Sequence, residues 1–110
     1  MDFVVDVDSR GDYSVVRVCG EVDLYTSPML DSCLSNLINS EKSLIAVDLS
    51  DCSYFDSDGI KTLVKWSRRL GEDGEFVVCG ASGAVSRAFK ICGLDSVIPI
   101  LPSVEAAVQL

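Results

Sequence analysis

The sequence predicts an α/β fold on a mixed β-sheet, in the order β-β-α-β-α-β-α-β-α, with the helices mainly on one face. Three observations predict it. Short β-branched runs recur along the 110 residues. Between most of them the apolar spacing lengthens from two residues to three or four, the helical period. Only the first two runs are joined by a turn too short to hold a helix. Strands that alternate with helices become parallel neighbours through crossovers, while runs joined by a tight turn pair antiparallel. The length is that of one domain, 1–110.

Each element has a local reason. Phe3 to Val7 is β-rich, and Arg10-Gly11-Asp12 reads as a turn. Tyr13 to Cys19 alternates two sets of side chains and completes an antiparallel hairpin. Thr26-Ser27-Pro28 starts a helix, with a hydroxyl to cap free N–H groups and a proline suited to the first turn. Leu30, Leu34, Leu37 and Ile38 follow on one face. Leu44 to Leu49 is almost continuously apolar, as expected of a strand covered on both sides. Ser57 opens a second helix, with Ile60, Leu63, Val64 and Leu70 inward and Gly71 near its end. Glu75 to Cys79 is a strand, and Ser82 to Cys92 is a helix with Val85, Ala88 and Phe89 inward and Gly93 past its end. Val97 to Leu101 is a last strand, held to a sheet edge by Pro99, and Ser103 to Leu110 is a closing helix.

Composition narrows the chemistry. Nine basic and seventeen acidic residues give a net charge of −8. Phosphate backbones and anionic lipid repel such a chain, so neither nucleic acid nor a membrane surface is an expected partner. The hydrophobic share of 48% is too high for a disordered acidic tail. Histidine is absent, which removes Ser-His-Asp and Cys-His catalysis and histidine-liganded zinc. The five cysteines (Cys19, Cys33, Cys52, Cys79 and Cys92) form no C-x-x-C pair and read as reduced core thiols. Residues 1–20 have neither a basic start nor a long apolar stretch. A soluble, cytoplasmic protein without signal peptide or membrane span is therefore expected.

The segment Tyr54-Phe55-Asp56-Ser57-Asp58-Gly59-Ile60 holds the candidate chemistry. Ser57 is placed to cap the second helix, beside free backbone N–H groups that favour negative charge. A phosphate ester there is tolerable to the fold, although Asp56 and Asp58 would repel it. Asp56-x-Asp58-Gly59 also mimics the nucleophile loop of magnesium-dependent phosphatases, with Asp56 as attacking group. Against that reading, the apolar strand is expected to end at Leu49, not immediately before Asp56, and no later pair of acidic ligands follows a strand. Gly93-Leu94-Asp95-Ser96 mimics the attachment site of acyl carrier proteins, but those are helical bundles and the β-branched runs here contradict one. Gly20-Glu21-Val22-Asp23 precedes the first helix, and strand direction would bring it to the same end of the sheet as residues 56–60. Asp23 and Asp58 would then form an acidic rim around Ser57. Lys61, Lys65 and Arg68 share one side of the second helix, a solvated face that is also a candidate for a weak nucleotide contact. Trp66, at the edge of the apolar face, reads as packing.

Taken together, Gly20-Glu21-Val22-Asp23-Leu24, Val47-Asp48-Leu49-Ser50, Phe55-Asp56-Ser57-Asp58-Gly59-Ile60, Arg68-Arg69-Leu70, Gly80-Ala81-Ser82 and Cys92-Gly93-Leu94-Asp95 resemble the STAS-domain anti-sigma-factor antagonists. The resemblance spans nearly the whole chain and implies a STAS-like mixed β-sheet. It also implies a switch rather than an enzyme, without catalytic residue, metal or cofactor. The unphosphorylated protein would bind an anti-sigma factor that is also a serine kinase, releasing a sigma factor. Phosphorylation of Ser57 would end the binding, and a phosphoserine phosphatase would restore it. In this scheme Asp56 shapes the loop, Gly59 lets a partner backbone come close, and Asp23 matches the acidic residue near the kinase. Thr26, Asp58 and Ile60 complete the partner-binding set. Many members carry Ser or Thr where this chain has Asp58, and other STAS domains act as scaffolds without phosphorylation.

Overall fold

A computed structural model describes residues 2–109. The elements run β1 (Val4–Arg10), β2 (Tyr13–Val22), α1 (Ser27–Asn39), β3 (Leu44–Phe55), α2 (Ser57–Leu70), β4 (Glu75–Cys79), α3 (Gly83–Cys92), β5 (Ile100–Leu101) and α4 (Val104–Val108). Short 3-10 turns at Gly71–Asp73 and Leu94–Ser96 lead into β4 and β5. The strands lie side by side in chain order, with β1 antiparallel to β2 and every later pair parallel. Right-handed crossovers that step one strand at a time in one direction leave their helices on one face. Accordingly α1, α2 and α3 cover one side through Leu30, Leu34, Leu63, Trp66, Leu70, Val85 and Phe89. They pack on Val16, Val18, Ile45, Val47, Phe76 and Val78. The short α4 covers part of the other side, where Val104 and Ala107 meet Tyr13, Val15, Ala46, Val77 and Cys79. Burial on both faces explains why Ile45-Ala46-Val47 shows no alternation.

Several element limits differ from expectation. β1 continues to Arg10 and β2 to Val22, so the hairpin turn is confined to Gly11-Asp12, with Gly11 at φ 59°. β3 does not stop at Leu49 but runs six residues further, to Phe55. Opposite β2, the pairing jumps from Arg17–Asp48 to Cys19–Asp51, and again from Gly20–Cys52 to Glu21–Tyr54. Each jump inserts one extra residue into β3, a β-bulge. The buried side chains therefore fall at Leu49, Cys52 and Phe55, three apart, and the period of two that marks a strand disappears. The last strand shrinks to Ile100–Leu101, because Leu94–Ser96 is a 3-10 turn and the Ile98 N–H bonds the Leu94 carbonyl at 2.9 Å. α4 spans Val104–Val108, with Ser103 capping the Ala106 N–H at 3.2 Å, and Leu110 lies outside the described residues. Of the cysteines only Cys52 and Cys79 are buried, and Cys92 at the end of α3 is exposed.

Candidate functional site

The β2–α1 and β3–α2 connections meet at the end of the sheet to which the parallel strands point. The Asp56 N–H donates to the Val22 carbonyl at 3.0 Å, tying the two segments together. Ser57 is the first residue of α2 and is exposed, while Asp56 and Asp58 are half-buried beside it. The helix is not capped by Ser57. Asp56 takes that position, in extended backbone, and its Oδ1 accepts the N–H groups of Asp58 at 3.0 Å and Gly59 at 3.2 Å. Asp56 rather than Ser57 serves because its backbone is extended, as a cap requires, while Ser57 is already the first residue of the helix. The same bonds bear on the phosphatase look-alike, since the proposed nucleophile is turned into its own backbone.

Gly59 has a role other than admitting a partner. It is buried, and a Cβ there would lie 2.6 Å from both Phe55 Cε1 and Val22 Cγ1. The glycine lets α2 settle onto the ends of β2 and β3, which holds Ser57 at the rim. Asp23 likewise turns inward. Its carboxylate accepts the N–H groups of Tyr25 at 2.9 Å and Thr26 at 3.0 Å. These bonds, that from Thr26 foremost, hold it below the usual carboxylate range. Asp23 thus is not a free carboxylate at the rim but one tied by hydrogen bonds to its own loop, where its charge remains. Thr26 closes that loop rather than capping α1, for its hydroxyl donates to the Glu21 carbonyl at 2.7 Å and accepts the Asp23 N–H at 2.9 Å.

Exposed apolar side chains gather at this end, a feature that the sequence reading missed. Leu24 is 61% exposed, Tyr25 85%, Met29 51% and Tyr54 45%. The signal was present, for Leu24-Tyr25 is an apolar pair outside any helical or strand period. Along α2, Ile60 and Val64 are half-buried and line an open groove with Lys61, Lys65 and Arg68. Trp66 is buried, and its Nε1 donates to Asp31 of α1 at 2.8 Å, while Lys65 pairs with the same carboxylate. Burial pushes the Asp31 carboxyl up, but Lys65 and the indole outweigh it and leave the group below its ordinary value. These contacts lock α1 to α2 and keep the two loops in register.

The fold and its loops define a small mixed α/β module with several exposed apolar side chains, Leu24, Tyr25, Met29 and Tyr54, near the start of α2, while Val4, Val7, Ile91 and Val97 are exposed elsewhere. The STAS-domain family profile matches residues 4–107, and the chain belongs to that family. It is 31% identical over 102 residues to the anti-sigma-B factor antagonist of Listeria monocytogenes, covering 91% of this chain and 90% of the relative. An anti-sigma factor antagonist from Mycobacterium paratuberculosis superposes with a TM-score of 0.93 at 28% identity, over 98% of this chain and 92% of that one. The phosphorylated form of the Bacillus cell fate determinant SpoIIAA shares the fold, with a TM-score of 0.71 at 21% identity over 98% of each chain. Among the described residues no helix is long and apolar enough to cross a membrane.

Proposed function

We propose that this protein is an anti-sigma-factor antagonist switched by phosphorylation of Ser57. Unphosphorylated, it docks on an anti-sigma factor that is also a serine kinase and sets a sigma factor free. The kinase then esterifies Ser57, docking ends, and a phosphoserine phosphatase resets the chain. Such a cycle runs in the cytoplasm. The observation that carries the reading is the exposed Ser57 hydroxyl at the start of α2, beside the exposed Leu24, Tyr25, Met29 and Tyr54. Thr26, Asp23 and Asp56 shape the two loops, Gly59 seats the helix, and Ser57, Asp58 and Ile60 face the partner. The names of the relatives support the partner class, and the SpoIIAA form supports a fold that accommodates phosphate.

Magnitudes allow one ester to suffice. Taking a complex from mostly formed to mostly dissociated needs about 5.5 kcal/mol. A phosphate of about −1.5 to −2 charge, desolvated at an interface and flanked by Asp56 and Asp58, costs several kcal/mol. The test is an ATP-dependent pull-down with the anti-sigma factor, read by phosphopeptide mapping. Ser57→Ala is expected to keep affinity and incorporate no phosphate, and Ser57→Glu to bind at least tenfold more weakly. Label on another residue would remove the role assigned to Ser57. Asp58 favours a second reading, because a fixed charge next to the acceptor disfavours a kinase. On that reading the chain is an unphosphorylated scaffold, and stable capture without any label distinguishes it.

A further inference from the structure

We propose that Lys61 is the internal counter-ion of a phosphate carried on Ser57, and that forming this pair withdraws the first cation from the exposed face of α2. The inference rests on the phosphorylation reading above. Ser57 and Lys61 are both exposed and stand four residues apart on α2. Side chains at that spacing are neighbours, and an anion placed before a lysine is the favoured order. Helix N-termini ordinarily hold anions with free N–H groups. Here Asp56 Oδ1 already occupies those of Asp58 and Gly59, so the helix end has fewer left to offer the ester and a side-chain cation gains weight.

On the ester's own segment, the connection bonded to it and α2, the charged groups single out Lys61. Asp56 and Asp58 flank the ester on its own segment, and Glu21 and Asp23 lie on the connection bonded to that segment; all four are acidic. On α2, Lys65 is committed to Asp31 across the helix pair. Arg68 lies eleven residues beyond Ser57, about 16 Å along the axis. Lys61 takes part in no ion pair among the described residues, so nothing has to break for it to turn.

The pairing has a consequence for docking. Lys61 and Arg68 border the groove of about 480 Å³ floored by Ile60 and Val64. A phosphate at its head draws Lys61 toward the N-terminus and turns that end of the groove from cationic to anionic. A carboxylate at position 57 carries less charge on a shorter arm, so Ser57→Asp reproduces the effect only in part.

The experiment uses the full chain with phosphoserine incorporated at position 57 during synthesis, so that no kinase is involved. A phosphorus NMR titration at low salt reads the second ionisation of the ester. Lys61→Gln is expected to raise that pKa by about 0.3 unit, the worth of one helix-surface pair. Lys61→Arg should restore the parent value, Arg68→Gln should leave it unchanged, and 1 M salt should erase the difference. Equal values in the parent and Lys61→Gln overturn the pairing. Kinase labelling at a different residue, with the titration as expected, overturns the switch reading and leaves the pairing intact.

Discussion

At Asp56 a single carboxylate oxygen serves two backbone donors and so decides where α2 begins. Replacing it by alanine leaves those N–H groups to water and costs about 1 kcal/mol, the usual worth of a helix cap. Asp56→Ala should therefore lower the melting temperature by about 4 °C or more. It should also speed hydrogen exchange at the Asp58 and Gly59 amides, with Asp56→Asn close to the parent. Unchanged exchange at those amides would contradict the cap. Two residues could supply it on sequence grounds, since Asp56 and Ser57 both rank as good N-caps. Only the extended backbone of Asp56, held by its N–H bond to Val22, separates them. The same is true of Asp23 and Thr26. Their place near Ser57 was legible from strand direction, while their inward turn depends on hydrogen bonds no spacing reveals.

In the elements, the order of strands and helices was readable because each helix carries its own period and each buried strand its own β-branched run. β3 was readable only as far as Leu49, because two inserted residues erase its alternation. β5 was overestimated because the β-branched Val97 and Ile98 look like strand residues, yet belong to the turn after α3. The seat of α2 offers a test at this scale. Glycine inside a helix costs about 1 kcal/mol against alanine, so Gly59→Ala would stabilise an unencumbered helix. Here the added methyl meets Val22 and Phe55 at 2.6 Å, and Phe55 is itself wedged edge-on against Phe89 with ring centroids 5.3 Å apart. Overpacking of this kind costs about 1–3 kcal/mol and exceeds the gain. Gly59→Ala should thus lower denaturant stability, read as a lower urea midpoint. A more stable variant would show that the seat is loose.

At the scale of the whole molecule, the second face of the sheet holds a response to alkaline pH. The Tyr13 hydroxyl donates to the Glu75 carboxylate at 2.5 Å, joining the start of β2 to β4 across β3. That bond first, and burial second, push the phenol from 10.0 up to about 12. The fold thus favours the protonated ring. This contribution is complete below about pH 10 and is lost as pH rises through about 12. Burial similarly moves the Cys79 thiol from 9.0 up to about 11, an overlapping loss that begins lower. Melting temperatures recorded from pH 9 to 12 should fall more steeply for the parent than for Tyr13→Phe. The two curves should diverge chiefly above pH 10, and parallel curves would deny the Tyr13 bond its role.

The paired bulges of β3 reach beyond geometry. Once the strand advances in threes, Leu49, Cys52 and Phe55 alone answer to the interior, and Ser50, Asp51, Ser53 and Tyr54 answer to water. Substitutions at Ser53 and Tyr54 therefore alter what the strand shows to its surroundings without touching what it buries, whereas Ser50 and Asp51 remain tied to Asp48 and Arg17. An irregular strand thus divides its letters between foundation and frontage.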